Sequence, residues 1–170
     1  AMTDRLLKYD VTAYEPDSLL KLLKESVEVK CAYVNADPGD CGKRQALNFG
    51  HTFGHAFEEL SLERRSPLSH GYAVAFGMVC ALILSHMKKG FPSDRLHAYA
   101  QYVRHHYGVF AIRCNDYDRL LDFMAHDKKN TTPGALTFTL LRKEGDPVTG
   151  VQVSPDDVKA ALDIYCDLLM

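Results

Sequence analysis

Four polar side chains that could do chemistry fall within twelve positions of this 170-residue chain. They are Arg44, Asn48, His51 and His55, spaced four, three and four residues apart. If residues 44–60 form one helix, as their apolar pattern predicts, these side chains lie on one stripe within roughly 60° of each other. A cation, an amide and two imidazoles on one line are typical of the wall of a reactive site.

The two histidines of this stripe could take part in a metal site. Two imidazoles four residues apart on a helix can reach one ion, and a further ligand often comes from elsewhere. His70 precedes Gly71 at the start of an apolar segment, where its side chain could turn back toward a neighbouring helix. No HExxH motif is present, and histidines often only hydrogen-bond backbone groups. Spacing alone therefore leaves metal binding and a structural role open.

Arg44 and Asn48 could hold an anionic ligand. The forked guanidinium suits phosphate or carboxylate. The alternative is a stripe of solvated surface residues. That alternative is weakened by the apolar neighbours Ala46, Leu47 and Phe49.

Four other side chains have an ordinary explanation beside a chemical one. Lys128 and Lys129 could hold a phosphate, but cations are also favoured where a helix ends. Asp40 could act as a general base, although an acid in the turn at 37–40 is common turn chemistry. Lys30 could be catalytic, or simply solvated at the polar edge of its helix.

Composition narrows the class of protein. Apolar residues make up 46% of the chain and charged residues 25%, and the net charge is −2. There is thus no bulk electrostatic case for nucleic acid or an acidic membrane. The five cysteines are scattered without a CxxC pair, which predicts reduced thiols in a cytoplasmic protein. The apolar segment 73–84 is shorter than the roughly 20 residues that a bilayer requires, so a buried helix is predicted.

Hydrophobic periodicity and turn signals predict a mainly helical domain over residues 1–170. The predicted helices cover residues 16–35, 44–60, 72–88, 93–107 and about 116–126, with a terminal helix from Ser154-Pro155. A small β-hairpin is predicted near residues 134–153, and residues 61–69 are predicted to be a loop. The predicted core face of the 44–60 helix consists of Phe49, Phe53, Ala56, Phe57 and Leu60. No GxGxxG, Walker-type or nucleophile-elbow motif is present, so the chain offers no dinucleotide site of its own.

Two long motifs carry a family resemblance. Residues 47–58 read LNFGHTFGHAFE and residues 70–79 read HGYAVAFGMV. Together with Glu28-Val29-Lys30, the segment 37–42, Arg44 and the DKKN at 127–130, they resemble 3-dehydroquinate synthase over most of the chain. The resemblance implies the family's helical C-terminal domain, without the Rossmann-like N-terminal half that binds NAD.

The resemblance also implies a reaction. The family converts 3-deoxy-arabino-heptulosonate 7-phosphate to 3-dehydroquinate and phosphate in the shikimate pathway of aromatic amino acid biosynthesis. NAD is reduced and reoxidised within one turnover, and Zn²⁺, Co²⁺ or another divalent metal polarises the hydroxyl that is oxidised. By this resemblance the catalytic residues are His55, Asp40 and Lys30, the metal ligands are His51 and His70, and the substrate-binding residues are Arg44, Asn48, Lys128 and Lys129.

Two departures from the family pattern bear on activity. Asp40 stands where the family usually has Glu. The family's third metal ligand is the Glu of an AExxK segment, and the echo of that segment at 4–8 would place Arg5 in the ligand position. Ala1-Met2 resembles a tag remnant, so the chain is expected to begin inside a longer protein. We therefore expect residues 1–170 to be the metal-binding part of a longer enzyme. Alone, this part is expected neither to bind NAD nor to catalyse the reaction.

Other functions stay open at this point. The same fold could belong to a different sugar-phosphate cyclase or to a metal-dependent alcohol or glycerol dehydrogenase. It could also be a helical domain with a relict, non-catalytic site. The expected partners are a small sugar-acid phosphate substrate, the missing NAD-binding domain and a second copy in a homodimer, with no nucleic acid and no membrane.

Overall fold

The computed structural model describes residues 2–10, 12–13, 15–126 and 136–170. These residues form α-helices, short 3-10 helices and one antiparallel pair of strands. The helices are α1 Met2–Leu6, α2 Pro16–Ala36, α3 His51–Glu63, α4 His70–Lys89, α5 Ser93–Tyr107, α6 Tyr117–His126 and α7 Pro155–Leu169. The 3-10 helices are Lys43–Asn48 and Cys114–Asp116, and the strands are β1 Leu136–Lys143 and β2 Asp146–Val153.

The chain divides into two compact units, residues 1–47 and 48–170. The first contains α1, α2 and the start of the 3-10 helix at 43–48. The predicted helix at 16–35 is confirmed as α2, which begins at Pro16 as prolines favour. None of the residues of α2 is buried, and its apolar stripe includes Leu20, Leu23 and Val27, each more than half exposed.

The second unit has α4 at its centre. This helix packs against α3, α5, α7 and β1, and most residues between Ala73 and Ser85 are buried. Gly90, with a φ of 72°, ends it in the left-handed conformation that suits glycine. Across the described residues, α4 is the one helix long and apolar enough to cross a membrane, a test that the buried core helix of a globular protein also meets. The predicted buried helix is thus confirmed and extends to His70.

Short-range sequence signals also predicted the hairpin and the C-terminal helix α7. Ser154 caps α7 by accepting a hydrogen bond from the Asp157 backbone N–H at 3.2 Å, and Pro155 is the first helical residue. The two strands pair antiparallel, with Leu136 opposite Val153. The predicted hairpin is confirmed over 136–153, and its first two predicted residues lie outside the described residues.

The predicted continuous helix over 44–60 is wrong. Residues 43–48 form a 3-10 helix, and α3 begins only at His51, after Gly50 with a φ of 80°. A Cβ on Gly50 would lie 2.8 Å from the backbone nitrogen of Met78, closer than real Cβ contacts. The chain therefore breaks where a glycine both turns left-handed and lets α3 approach α4. The predicted core face holds, because Phe53, Ala56, Phe57 and Leu60 are buried and Phe49 is partly buried against them.

The loop predicted at 61–69 is shorter than expected. The helix α3 continues to Glu63, and Ser61 is fully buried. Its hydroxyl donates to the Glu58 carbonyl at 2.6 Å and accepts from the Leu68 N–H at 2.9 Å. This serine therefore ties the end of α3 to the segment that leads into α4.

Candidate metal and substrate site

Three imidazoles lie close together, two on the first turns of α3 and one on the first residue of α4. The ring centroids of His51 and His55 are 5.6 Å apart, those of His51 and His70 are 5.6 Å apart, and those of His55 and His70 are 5.7 Å apart. Two imidazoles that bind one tetrahedral ion through nitrogens about 2.1 Å away have centroids roughly 5 Å apart. The spacing within this histidine cluster (His51, His55 and His70) is therefore close to that of rings sharing an ion.

Glycines bring the two helices close enough for these rings to meet. A Cβ on Gly77 would lie 2.2 Å from the Gly50 carbonyl oxygen and 2.6 Å from the Gly54 nitrogen. A Cβ on Gly54 would lie 3.0 Å from the Cα atom of Val74. The backbones of α3 and α4 thus touch where other residues would hold them apart. Since Gly77 lies against Gly50 and Val74 against Gly54, the two helices run in opposite directions. The first residue of α4, His70, then lies beside Glu58 of α3.

The Nδ1 atoms of two of these rings contact oxygen acceptors. Nδ1 of His51 lies 3.3 Å from the Phe49 carbonyl oxygen, and Nδ1 of His70 lies 3.0 Å from Oε2 of Glu58. A carbonyl or an ionised carboxylate only accepts, so Nδ1 is the protonated nitrogen of the neutral ring in each contact. The lone pair is then on Nε2, which is the atom that would bind a metal.

The donor set fits part of a metal site. Imidazoles whose second nitrogen is held by a carbonyl or carboxylate are the usual protein ligands of Zn²⁺ and similar ions. Within the described ranges, no group of three or more His, Cys, Asp or Glu side chains is arranged to hold a metal ion by itself. Any ion at His51 and His70 would therefore need a further donor.

The single helix predicted to align Arg44 and Asn48 with the histidines is not formed. Both belong to the 3-10 helix at 43–48, which is separated from His51 by the turn at Phe49-Gly50. Since a 3-10 helix turns by about 120° per residue, the predicted i, i+4 alignment does not apply there. Asn48 is partly buried.

In the first unit, Asp37 organises the segment that carries Asp40 and Arg44. Its Oδ2 accepts from the backbone N–H of Gly42 at 2.7 Å and of Arg44 at 3.0 Å, and its Oδ1 accepts from the Cys41 N–H at 3.1 Å. These donors, led by the Arg44 N–H, hold the pKa of the Asp37 carboxyl below its usual value.

The structure places three further predicted site residues in the first unit. Asp40 has a φ of 54°, which aspartate tolerates better than most residues. The Arg44 guanidinium donates to the Pro38 carbonyl at 3.2 Å. Lys30 is exposed on α2. The predicted substrate residues Lys128 and Lys129 lie outside the described residues.

Two organising residues were missed from the sequence. Glu58 follows His51 by seven positions and His55 by three, so helical spacing could have placed it on their stripe. Asp37 was placed in a turn and in the family segment 37–42, without a role of its own. Its seven-residue reach to the Arg44 N–H depends on the folded loop and leaves no local signal.

The comparisons with known proteins settle the family. A family model described as 3-dehydroquinate synthase C-terminal matches residues 2–130. The chain belongs to the 3-dehydroquinate synthase C-terminal family. The resemblance inferred from the motifs is thereby confirmed.

Relatives in this family are much longer than this chain. It is 41% identical to the 3-dehydroquinate synthase of Parabacteroides distasonis over 160 residues, which is 94% of this chain and 45% of the relative. It is 32% identical to that of Methylacidiphilum infernorum over 158 residues, covering 92% and 43%. The chain therefore spans less than half the length of these curated relatives.

Solved structures share the fold. A 2-epi-5-epi-valiolone synthase from Streptomyces hygroscopicus subsp. jinggangensis, with NAD+ and Zn²⁺ bound, superposes with a TM-score of 0.72 at 22% identity, covering 90% of this chain and 41% of that one. A 2-deoxy-scyllo-inosose synthase complexed with carbaglucose-6-phosphate, NAD+ and Co²⁺ superposes at 0.70 and 22% identity, covering 91% and 42%. The mainly helical fold with a small hairpin is confirmed by these likenesses.

Proposed function

We propose that residues 1–170 act as the metal- and substrate-binding part of a 3-dehydroquinate synthase. The whole enzyme would convert 3-deoxy-arabino-heptulosonate 7-phosphate to 3-dehydroquinate and phosphate. The observation that carries the proposal is the histidine cluster on α3 and α4, in a chain that is 41% identical to a curated synthase. NAD would be bound by the portion of the relatives that this chain does not span.

His51 and His70 are the proposed metal ligands, each through Nε2. The metal, when bound, would act as a Lewis acid on the substrate hydroxyl that is oxidised. Support comes from the Nδ1 contacts to Phe49 and Glu58, which leave the lone pair on Nε2. A third donor would come from outside the described residues, because catalytic zinc normally has three protein ligands.

His55 is proposed as the base on the phosphate side of the substrate. Its ring centroid lies 5.6 and 5.7 Å from those of the two proposed ligands, so a substrate held at the ion would lie within its reach. Histidine is the side chain that most often serves as general base in enzymes. The roles of Lys30, Asp40, Arg44 and Asn48 stay predictions from the family motif.

A chimaeric enzyme tests the function. Residues 1–170 would replace the matching segment of the Parabacteroides distasonis synthase, and phosphate release would be followed with substrate, NAD and Zn²⁺. We expect turnover by the chimaera, none by residues 1–170 alone, and none by the chimaera carrying His51→Ala. A folded chimaera without activity, or robust turnover by residues 1–170 alone, would contradict the proposal.

A second sugar-phosphate cyclase activity is the alternative that the solved neighbours favour, since one of them was captured with carbaglucose-6-phosphate. The same chimaera distinguishes the two activities when hexose phosphates replace the seven-carbon substrate. We expect release of phosphate only from the carboxylated seven-carbon sugar, because the sequence identity is higher to 3-dehydroquinate synthase. Activity on simple alcohols would instead favour a dehydrogenase, and no saturable Zn²⁺ response at His51 and His70 would favour a relict site.

Location and assembly are part of the proposal. All five cysteines are free, as expected of a protein in the reducing cytoplasm. A homodimer is the proposed assembly, which sedimentation of the chain over a range of concentrations would check.

A further inference from the structure

Glu58 links the two helices that carry the histidine cluster. It lies on α3, one turn beyond His55, and its Oε2 is 3.0 Å from Nδ1 of His70 at the start of α4. The side chain of Glu58 is 32% exposed and that of His70 is 55% exposed. The family motif contains this glutamate, for which the sequence predicted no role in the reaction.

The contact determines which nitrogen of His70 carries the proton. An ionised carboxylate has no proton to donate, so a neutral His70 ring must present Nδ1–H to it. The lone pair then lies on Nε2, on the other side of the ring. Without Glu58 this exposed ring could rotate and populate either tautomer, and only a fraction of the rings would be ready to bind an ion.

The backbone of Glu58 is itself held in place. Its carbonyl accepts the hydroxyl hydrogen bond of the fully buried Ser61 at 2.6 Å, and the same hydroxyl accepts from the Leu68 N–H just before α4. The turn between α3 and α4 is thereby tied to the residue that orients His70. This holds the backbone of Glu58, from which the carboxylate reaches His70, close to the start of α4.

We propose that Glu58 is a positioning residue that holds the His70 imidazole as its Nδ1–H tautomer, with Nε2 directed to the metal. The inference rests on the proposed function, because it gives His70 its role as a ligand. A merely structural ion pair is the competing explanation. Pairs as exposed as this one contribute little to stability. A positioning role should instead appear in the ring tautomer and in metal affinity, where loss of such a partner typically costs about 10–100-fold.

Two measurements on the 170-residue chain test the inference. Long-range ¹H–¹⁵N spectra of the metal-free protein at about pH 8.5, where imidazoles are ordinarily neutral, report the His70 tautomer. Competition titration with a chromophoric chelator reports Zn²⁺ affinity. The variants are Glu58→Ala, Glu58→Gln and the matched control Glu59→Ala, which removes the exposed carboxylate next along α3.

The expected tautomers and Zn²⁺ affinities distinguish the two Glu58 variants from the unmodified chain and the control. The unmodified chain and E59A show Nδ1–H at His70, and E58A shows a mixture with weaker Zn²⁺ binding by about 10–100-fold. E58Q keeps Nδ1–H, because its amide oxygen still accepts, and falls between the two in affinity.

Three results would overturn the inference. They are Nε2–H at His70 in the unmodified chain, an unchanged tautomer in E58A, or a changed tautomer with unchanged Zn²⁺ affinity. Failure of the metal site itself gives a different result, in which His51→Ala binds Zn²⁺ as the unmodified chain does. The tautomer measurement then still decides the role of Glu58, since it needs no metal.

Discussion

Gly77 of α4 lies against the carbonyl of Gly50, so closely that an added Cβ would come within 2.2 Å of that oxygen. The contact is between backbones, and no side-chain rotation can relieve it. It fixes the distance between α3 and α4 beside the first residue of α3, about two turns along α4 from His70. The histidine cluster therefore depends on two glycines that have no chemistry of their own.

We expect Gly77→Ala to destabilise the second unit and to weaken metal binding. Overpacking typically lowers the free energy of unfolding by about 1–3 kcal/mol. We expect the upper end here, because the clash is with backbone atoms and can be relieved only by moving a whole helix. Urea unfolding would measure the loss, and Zn²⁺ titration would show weaker binding as α4 moves away from α3. Gly71→Ala is the matched control, because a Cβ at Gly71 meets nothing within 4 Å. A stable Gly77→Ala protein with unchanged Zn²⁺ affinity would contradict this account.

His51→Ala should reduce Zn²⁺ affinity by more than about 100-fold, since loss of an outer partner alone costs about 10–100-fold. The fold should persist, because His51 is only half-buried at the first turn of α3. Titration followed by the ring shifts of His70 would measure the change, with circular dichroism as the check on folding. His97→Ala on α5, an exposed histidine bonded to the Ser93 carbonyl at 2.7 Å, should bind as the unmodified chain does. Equal affinities for the two variants would remove His51 from the metal site.

Asp37→Ala should loosen the segment at 38–44. Three backbone N–H groups lose their acceptor, so we expect amide hydrogen exchange at Gly42 and Arg44 to accelerate by about tenfold or more. Mass spectrometry of the exchanged chain, or NMR, would measure the rates. Glu28→Ala on α2 is an exposed control. Unchanged exchange at Gly42 would show that the carboxylate does not hold this segment.

The same carboxylate gives the segment a pH dependence. The folded pKa of Asp37 is lowered by these N–H donors, so its stabilising effect is present above the unfolded value of about 3.9. It is lost as the pH falls through the lower, folded pKa, where the carboxyl becomes protonated. The amide shifts of Cys41, Gly42 and Arg44 should therefore titrate together, with a midpoint below the ordinary aspartate value of about 3.9. A midpoint at or above that value would contradict the lowered pKa.

Tyr165 of α7 should make the chain sensitive to alkali. It is fully buried, and its hydroxyl donates to the Phe110 carbonyl at 3.0 Å. Burial raises the pKa of this phenol well above its ordinary value of about 10, because the phenolate would lose its hydration. The stability from the neutral phenol is present below about pH 10. It is lost above that pH, where the unfolded chain releases the proton and the folded chain does not.

Comparison with Tyr165→Phe isolates the pH-dependent contribution of this phenol to the free energy of unfolding. The free energy of unfolding of the unmodified chain should fall with a slope steeper by about 1.4 kcal/mol per pH unit above pH 10. At pH 7 the variant should be less stable by about 1 kcal/mol, for the lost hydrogen bond. Urea unfolding between pH 7 and 11 measures both, with the exposed Tyr72→Phe as control. Parallel slopes for Tyr165→Phe and the unmodified chain would refute the prediction.

Most elements of this fold could be read from local patterns. Pro16, Ser154 and Gly90 mark helix ends because proline, serine and glycine favour those positions by their own conformational and hydrogen-bonding properties. The apolar spacing of Phe53, Phe57 and the residues that follow predicted a buried face that the structure has. The family resemblance, too, was carried by short sequence motifs, chiefly those at residues 47–58 and 70–79.

The break at Gly50 could not be read in this way. The periodicity of 44–60 is continuous, and a glycine inside it is compatible with a helix that is only slightly weakened. The helix is interrupted by the left-handed φ of Gly50, and the backbone of Met78, more than twenty residues away, leaves no room for a Cβ there. The predicted stripe from Arg44 to His55 was therefore wrong in its first half.

The sequence by itself determined which side chains are available and which short segments become helices or strands, because those preferences depend on neighbours along the chain. The tertiary structure alone decided that His70 meets His51, that Glu58 holds Nδ1 of His70, and that α3 starts where it does. These relationships join residues of different helices, so they depend on how closely α3 and α4 can pack.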